Sequence, residues 1–309
     1  MDCLVTGGAG FIGSNLVDAL IARGDRVTVI DTLVTGRRAN LTGALERGAA
    51  LHEIDVRDAA AVGAAIAAAA PEVVFHMAAQ IDVRRSVADP GFDAATNVLG
   101  TINVLAAARA AGARRLVNTS TGGGLYGDAE LLPTPEEHPI APLAPYGQSK
   151  LAAEGYCELY ARLHGLSTVS LRYGNVYGPR QDAHGEAGVV AIFCGCLVDG
   201  RTVTVFGDGR QTRDWVSVAD VVRANLIAAE SDLVGAVNIG HGRETSVLDL
   251  VTALNEVADG RHPLAPAFAP ERPGEVRRSC LDVTRAHARL GWEAQVSLTD
   301  GLRGVLAGP

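Results

Sequence analysis

Val5-Thr6-Gly7-Gly8-Ala9-Gly10-Phe11-Ile12-Gly13 decides the fold. A short apolar run, Cys3–Thr6, leads into it, and a helix-forming stretch at 11–23 leaves it. Glycine in such a strand-to-helix turn permits a tight bend and lets backbone approach a pyrophosphate and helix approach sheet. The opening helix turn then offers free N–H groups and the positive end of its dipole to phosphate. The motif stands at the first strand, the context that a dinucleotide-binding fingerprint requires. About 20 residues on, the second strand ends at Asp31, where a carboxylate accepts both ribose hydroxyls and repels a 2′-phosphate. That favours NAD over NADP, and it leaves Arg37 and Arg38 as solvated loop charges. Asp55, at the end of the third strand, either meets the adenine edge or caps the following helix.

Working outward, β-branched runs at Arg26–Asp31, Ala50–Ile54, Val73–His76, Arg115–Thr119 and Thr168–Tyr173 read as strands. Alanine-rich stretches at 58–69, 92–112 and 146–165 read as helices between them. Alternation at this spacing predicts right-handed βαβ units, a doubly wound parallel sheet of the Rossmann type and an α/β fold class. After about residue 175, turns such as Tyr177-Gly-Pro-Arg180, Phe206-Gly-Asp-Gly209 and Glu271-Arg-Pro-Gly274 become dense. The division expected is a cofactor domain over 1–174 and a smaller α+β substrate lobe over 175–309, some segments of which return to the first domain.

Composition narrows the function. Of 309 residues, 48% are hydrophobic and 20% charged, with a formal charge of −8. Such a chain gains no long-range attraction to nucleic acid or to an anionic membrane. No apolar run has the length of a membrane span, and the N-terminus lacks the pattern of a signal peptide. Five scattered cysteines suit a reducing, cytoplasmic setting. Cys194-Gly-Cys196 lacks a second ligand pair, so a core role is expected there and no metal.

Tyr146-Gly-Gln-Ser-Lys150 places a phenol and an ammonium at i and i+4, on one helix face. A neighbouring ammonium favours phenolate, which would make Tyr146 a general base. The preceding strand ends in Thr119-Ser120-Thr121-Gly-Gly-Gly124, putting hydroxyls at the carboxyl edge of a parallel sheet, where ligands bind. Thr121 or Ser120 can hold a substrate oxygen there.

Together these segments resemble the nucleotide-sugar epimerases of the extended short-chain dehydrogenase/reductase family. The resemblance runs through Thr6–Gly13, Phe75-His-Met-Ala78-Ala79-Gln80, Asn97-Val-Leu-Gly-Thr101 and Tyr146–Lys150. It continues through Leu171-Arg-Tyr173-Gly-Asn175-Val-Tyr-Gly-Pro179, Phe206–Asp214 and Arg272-Pro-Gly274. It implies 4-epimerisation of a UDP-hexose, UDP-glucose to UDP-galactose, through a 4-keto sugar with tightly held NAD. It assigns catalysis to Thr121, Tyr146 and Lys150. Gly7, Gly10, Phe11, Ile12, Gly13, Asp31, Asp55, Val56, Ala78, Ala79, Gln80, Asn97, Thr119, Ser120, Tyr146, Lys150 and Tyr173 would line the cofactor. Thr121, Tyr146, Asn175, Arg213, Arg272 and Ser279 would meet the substrate.

Departures from the family pattern bear on substrate. Dehydratases carry an Asp-Glu pair after the active Thr and decarboxylases a Glu, whereas Gly122-Gly-Gly124 stands here. Asp182 occupies the place of an arginine that would meet a sugar carboxylate. Serine at 279 implies room for an N-acetyl group. Epimerases of UDP-N-acetylhexosamine or dTDP-hexose, a sugar-nucleotide oxidoreductase and a non-catalytic NAD-binding module are the other readings. Family members dimerise through two helices per subunit, here 92–112 and 146–165, so a homodimer is expected, with Val98, Ile102, Leu105, Leu151 and Tyr160 as candidate contacts.

Overall fold

The computed structural model describes residues 1–182, 188–271 and 276–307. Its strands are β1 (Asp2–Thr6), β2 (Arg26–Asp31), β3 (Ala50–Glu53), β4 (Val73–His76), β5 (Arg115–Thr121) and β6 (Ser167–Tyr173). The chain continues with β7 (Asn175–Tyr177), β8 (Val203–Phe206), β9 (Thr212–Arg213), β10 (Trp215–Ser217), β11 (Gly235–Ile239), β12 (Thr245–Ser246) and β13 (Pro266–Ala269). Its helices begin with α1 (Phe11–Arg23), α2 (Thr42–Glu46), α3 (Ala59–Ala69), α4 (Val83–Ala88), α5 (Pro90–Ala94), α6 (Gly100–Ala110) and α7 (Gly122–Leu125). They end with α8 (Pro145–His164), α9 (Val189–Asp199), α10 (Val218–Glu230), α11 (Val247–Glu256), α12 (Thr284–Leu290) and α13 (Leu298–Leu306).

Among the described residues the central sheet has seven strands, all parallel, in the order β11-β6-β5-β4-β1-β2-β3. This is the doubly wound arrangement expected from the alternating sequence. The order reverses between β1 and β4, the position at whose carboxyl edge open sheets of this kind bind their ligands. Successive residues point to opposite faces. Val5 joins a core with Leu16, Leu20, Val221 and Ala228, while its neighbour Leu4 joins Ile66, Val104, Leu116 and Cys157 on the other face. A third core, containing Tyr177, Phe193, Trp215, Leu250, Leu254 and Leu302, stands apart from the sheet. There β10 pairs with β7, β13 with β8 and β12 with β9.

Three features differ from the sequence reading. A seventh strand, β11, was not foreseen; it comes from the C-terminal half and pairs with β6 from Gly235↔Val169 to Ile239↔Tyr173. The helix expected over 92–112 begins at Pro90, passes through a π turn at Ala95–Leu99 and resumes as α6. Strand β5 runs on to Thr121, two residues past its expected end. All five cysteines are free and buried, and Cys194 and Cys196 pack in the third core as expected. No helix among the described residues is long and apolar enough to cross a membrane, and none of their side chains cluster as a metal site.

Candidate functional site: a dinucleotide cradle and a Tyr-Lys helix

The glycine turn is fixed by contacts that no side chain could share. Gly7 has φ +69°, and a Cβ there would lie 2.7 Å from the Ala78 nitrogen. A Cβ on Gly13 would collide with the Gly7 carbonyl. Gly10 is the N-cap of α1 and supplies no side-chain oxygen to the first turn. The N–H groups at Phe11 and Ile12 are therefore left to a ligand. This bare, positively polarised helix end fits a pyrophosphate.

Asp31 ends β2 beside the cradle. Its Oδ2 accepts from the Ala9 N–H at 2.9 Å and its Oδ1 from Leu33 at 2.8 Å, which leaves a lone pair on each oxygen for a ribose diol. A Cβ on Gly36 would come within 2.8 Å of Oδ1. Arg37 is exposed and lies 3.8 Å from Asp182. Asp55 binds Arg57 through both the backbone N–H and the guanidinium, which holds its carboxyl below the usual range. It does not cap the next helix: Asp58 does, accepting from Ala60 and Ala61. Val56 is buried and packs against the bare face of Gly100, where a Cβ would lie 2.7 Å from its Cγ2.

Thr6 and His76 occupy one register position on β1 and β4. The Thr6 hydroxyl accepts from the Met77 and Ala78 N–H groups and so donates to His76 Nδ1 at 2.8 Å. His76 Nε2 then donates to Thr101, whose hydroxyl donates to the Asn97 carbonyl. Burial pushes the His76 pKa down to about 3, so the ring is neutral and its tautomer is set by these bonds. Asn97 donates to Gln80 O at 2.9 Å, Asp93 Oδ1 at 3.2 Å and Ser149 Oγ at 3.0 Å, and accepts from the Gln80 N–H. Ser149 in turn donates to the Tyr146 carbonyl. Gln80 and Asn97 thus clamp the loop after β4 onto α8.

Helix α8 carries Tyr146 and Lys150 in its first two turns. Pro145 opens it, and Ser86 Oγ accepts the Tyr146 N–H at 3.1 Å. A Cβ on Gly147 would collide with the Gly124 carbonyl, so glycine lets α8 close on the end of β5. There the Thr121 hydroxyl faces the Tyr146 phenol, whose pKa it pulls down, and accepts the Gly124 N–H at 3.1 Å. Ser120 is buried, and its Oγ has no partner. Of the two hydroxyls left open by the sequence, Thr121 is the one that meets Tyr146. Thr119 lies 3.5 Å from the Tyr173 hydroxyl, which also accepts from Asn225.

The expected depression of the phenol by Lys150 does not arise from the protein's own groups. Burial pushes Tyr146 up to about 12; the Thr121 bond pulls it down and nearby Asp93 raises it. Burial pushes Lys150 down to about 8, against the raising effect of Cys157, Glu154 and Asp93. Desolvation is the largest cause of both shifts, since burial penalises the charged form of each group.

Asn175 stands at the start of β7, its N–H bonded to the Asp214 carbonyl at 2.7 Å. Asp214 is fully buried and accepts the N–H groups of His241, Gly242 and Leu281. It draws three loops together and brings Ser279 beside Gly123 and Asn175. Arg213 is on β9 and donates to the Thr212 carbonyl. Arg272 lies outside the described residues. Sequence reasoning assigned no role to His76, Asp93, Ser149 or Asp214. The paired strand ends at Thr6 and His76 were the one local signal for any of them.

Residues 3–240 match the NAD dependent epimerase/dehydratase family. The chain is 48% identical over 304 residues to the UDP-glucose 4-epimerase of Mycolicibacterium smegmatis, covering 98% of this chain and 96% of the relative. A Thermotoga maritima UDP-glucose 4-epimerase crystallised with UDP-glucose superposes with a TM-score of 0.94 at 45% identity, covering 99% of this chain and 98% of its own. A Thermus thermophilus UDP-glucose 4-epimerase in complex with NAD gives 0.91 at 43%, covering 99% and 97%. On this match, and with the fingerprint, the Tyr-Lys helix and the sheet order in one chain, the protein belongs to the NAD dependent epimerase/dehydratase family.

Proposed function

We propose that this chain is an NAD-dependent enzyme that interconverts UDP-glucose and UDP-galactose by epimerisation at C4. The observation that carries the reading is that Thr121, at the end of β5, faces the Tyr146 phenol on the helix that carries buried Lys150 one turn on. NAD, when bound, supplies a hydride acceptor that returns the hydride to the opposite face of the sugar. Tyr146 takes the proton of the 4-hydroxyl as the C4–H bond breaks and a 4-keto sugar forms, and it gives that proton back after the sugar has turned over. Thr121 holds O4 against the phenol. Lys150, kept from water, stabilises the phenolate and the nicotinamide ribose hydroxyls. Phe11, Ile12 and Asp31 suit the pyrophosphate and adenosine ribose; Val56, Ala78, Ala79, Gln80, Asn97, Ser120 and Tyr173 shape the rest of the groove. Asn175 and Arg213 suit the substrate diphosphate, as Arg272 would. Residues 1–174 serve mainly the cofactor and 175–309 mainly the sugar nucleotide, with β11 returning to the first sheet.

A homodimer and a cytoplasmic setting belong to the same reading. Leu99, Tyr156 and Leu163 are 57%, 36% and 66% exposed on the segments that form the π turn and α8, which supports cover by a second copy. Leu105, by contrast, is fully buried in the chain's own core, so it is no longer a candidate contact.

The test is chromatographic conversion of UDP-glucose by purified protein without added NAD, beside Tyr146→Phe. An equilibrium mixture with UDP-galactose, abolished by the substitution, is expected. No conversion by folded, NAD-loaded protein would refute the UDP-glucose assignment.

A further inference from the structure

Asp93 lies near the end of α5, just before the π turn, and is 1% exposed. No step of the proposed reaction uses it. Its Oδ1 accepts from Gln80 Nε2 at 2.9 Å and from Asn97 Nδ2 at 3.2 Å. Its Oδ2 is buried without a hydrogen-bond partner. Asn97 also donates to Ser149 Oγ at 3.0 Å, and Ser149 donates to the Tyr146 carbonyl from the position next to Lys150. One carboxylate oxygen is thus bonded into the clamp that joins the loop after β4 to the reacting turn of α8. The charge is felt at both ends of that turn, by Tyr146 and by Lys150. Other charged groups around it are engaged elsewhere or set outside. Glu154 of α8 pairs with Arg172 of β6, and His76 of β4 is neutral. Burial keeps the Cys157 thiol protonated. Asp82 and Asp89 cap α4 and α5, Arg57 and Arg85 stack on Phe92, and Arg84 is exposed. The π turn, α7 and the carboxyl end of β5 carry no charged residue.

We propose that Asp93 is a positioning residue of the Tyr146–Lys150 turn: through Asn97 and Ser149 it holds that turn against the loop after β4, and its buried negative charge sets the pH window in which the pair works. A carboxylate disfavours a neighbouring phenolate and favours a neighbouring ammonium. Both effects delay loss of a proton, so Asp93 places the whole window at higher pH than a neutral side chain would. The inference rests on Tyr146 acting as the base of the epimerase reading.

The experiment is the pH dependence of kcat/KM for UDP-glucose conversion by NAD-containing wild type, Asp93→Asn and Asp93→Leu, which reports the groups of the free enzyme. Asparagine keeps an oxygen for Gln80 and Asn97, and its nitrogen replaces Oδ2, where no bond is lost. Asp93→Asn should move both limbs of the profile to acid by about one unit, with kcat at the optimum little changed. Asp93→Leu also removes the bonds and should lower kcat by about 10²-fold; should it fail to fold, Asp93→Asn alone decides. An unmoved profile, a shift to alkali, one limb moving without the other, or Asp93→Leu as active as Asp93→Asn would overturn the proposal. A second readout needs no turnover. Phenolate absorbance in the near ultraviolet, with Tyr146→Phe subtracted, should show the Tyr146 step at lower pH in Asp93→Asn. That displacement without any conversion of UDP-glucose would uphold Asp93 while refuting the epimerase reading.

Discussion

Replacing Arg172 by methionine should destabilise the protein severely, although Arg172 touches neither cofactor cradle nor sugar pocket. Its guanidinium grips Glu154 at 3.0, 3.2 and 2.7 Å, and the two side chains are 6% and 3% exposed. At 2.7 Å and an effective dielectric of about 20, the gross attraction is about 6 kcal/mol. Desolvation of two ions offsets most of that, so the pair adds little net stability while intact. Removing one partner strands the other as a buried charge and costs about 3–5 kcal/mol, a large part of a typical fold's 5–15 kcal/mol. The pair joins β6 to α8 one turn beyond Lys150, and Arg172 also donates to the Tyr126 hydroxyl at 2.8 Å. The assay is urea unfolding followed by circular dichroism, with the slope checked for constancy, on Arg172→Met, Glu154→Leu and the double variant. Both single variants should lose about 3–5 kcal/mol. The double variant should recover most of it, giving a strongly favourable coupling in the cycle. A loss below about 1 kcal/mol for Arg172→Met, or a double variant as unstable as the sum of the singles, would refute the reasoning.

Lys150→Met should abolish epimerisation yet raise stability. The folded pKa near 8 lies below the unfolded value, so the penalty of burying the ammonium is full below about pH 8 and fades as pH rises toward the unfolded pKa. The gain at pH 7, up to about 3 kcal/mol, should shrink by pH 9.5; a variant less stable than wild type at both pH values would contradict this. His76, held neutral in the fold, predicts a slope of the same sign in acid. The unfolded chain binds the extra proton, so stability falls as pH drops below about 6.5, and His76→Gln should flatten that fall in urea titrations at pH 7 and pH 5. Thr121→Ala should lower kcat by about 10²-fold with little change in KM, read by conversion of UDP-glucose; an equal rise in KM would make Thr121 a binding group only. Gly13→Ala should yield protein without co-purifying NAD, measured by absorbance after acid release, because its Cβ collides with the Gly7 carbonyl.

The fold was legible because its signals are local. Apolar runs broken by alanine-rich stretches, and a glycine fingerprint at the first of them, fix βαβ order whatever lies far away in the chain. Tyr146 and Lys150 were legible for the same reason: four residues apart on a helix is a local distance. Strand β11 was not, since Gly-Ala-Val-Asn-Ile has no pattern of its own and becomes a strand only by pairing with β6 across more than 60 residues of sequence. The choice between Ser120 and Thr121 also needed the folded chain, because neighbours on a strand point to opposite faces and only the seating of α8 decides which face meets the phenol. The burial that raises the Tyr146 phenol was out of the sequence's reach for a related reason. Spacing reports the nearest charge, whereas burial is set by everything packed around it. Asp214 holding three loops, Gly123 facing Asn175 and Ser279, and the Thr6–His76–Thr101–Asn97 chain all join residues remote in sequence. Their hydrogen bonds and contacts exist only once the tertiary packing has removed water from between them.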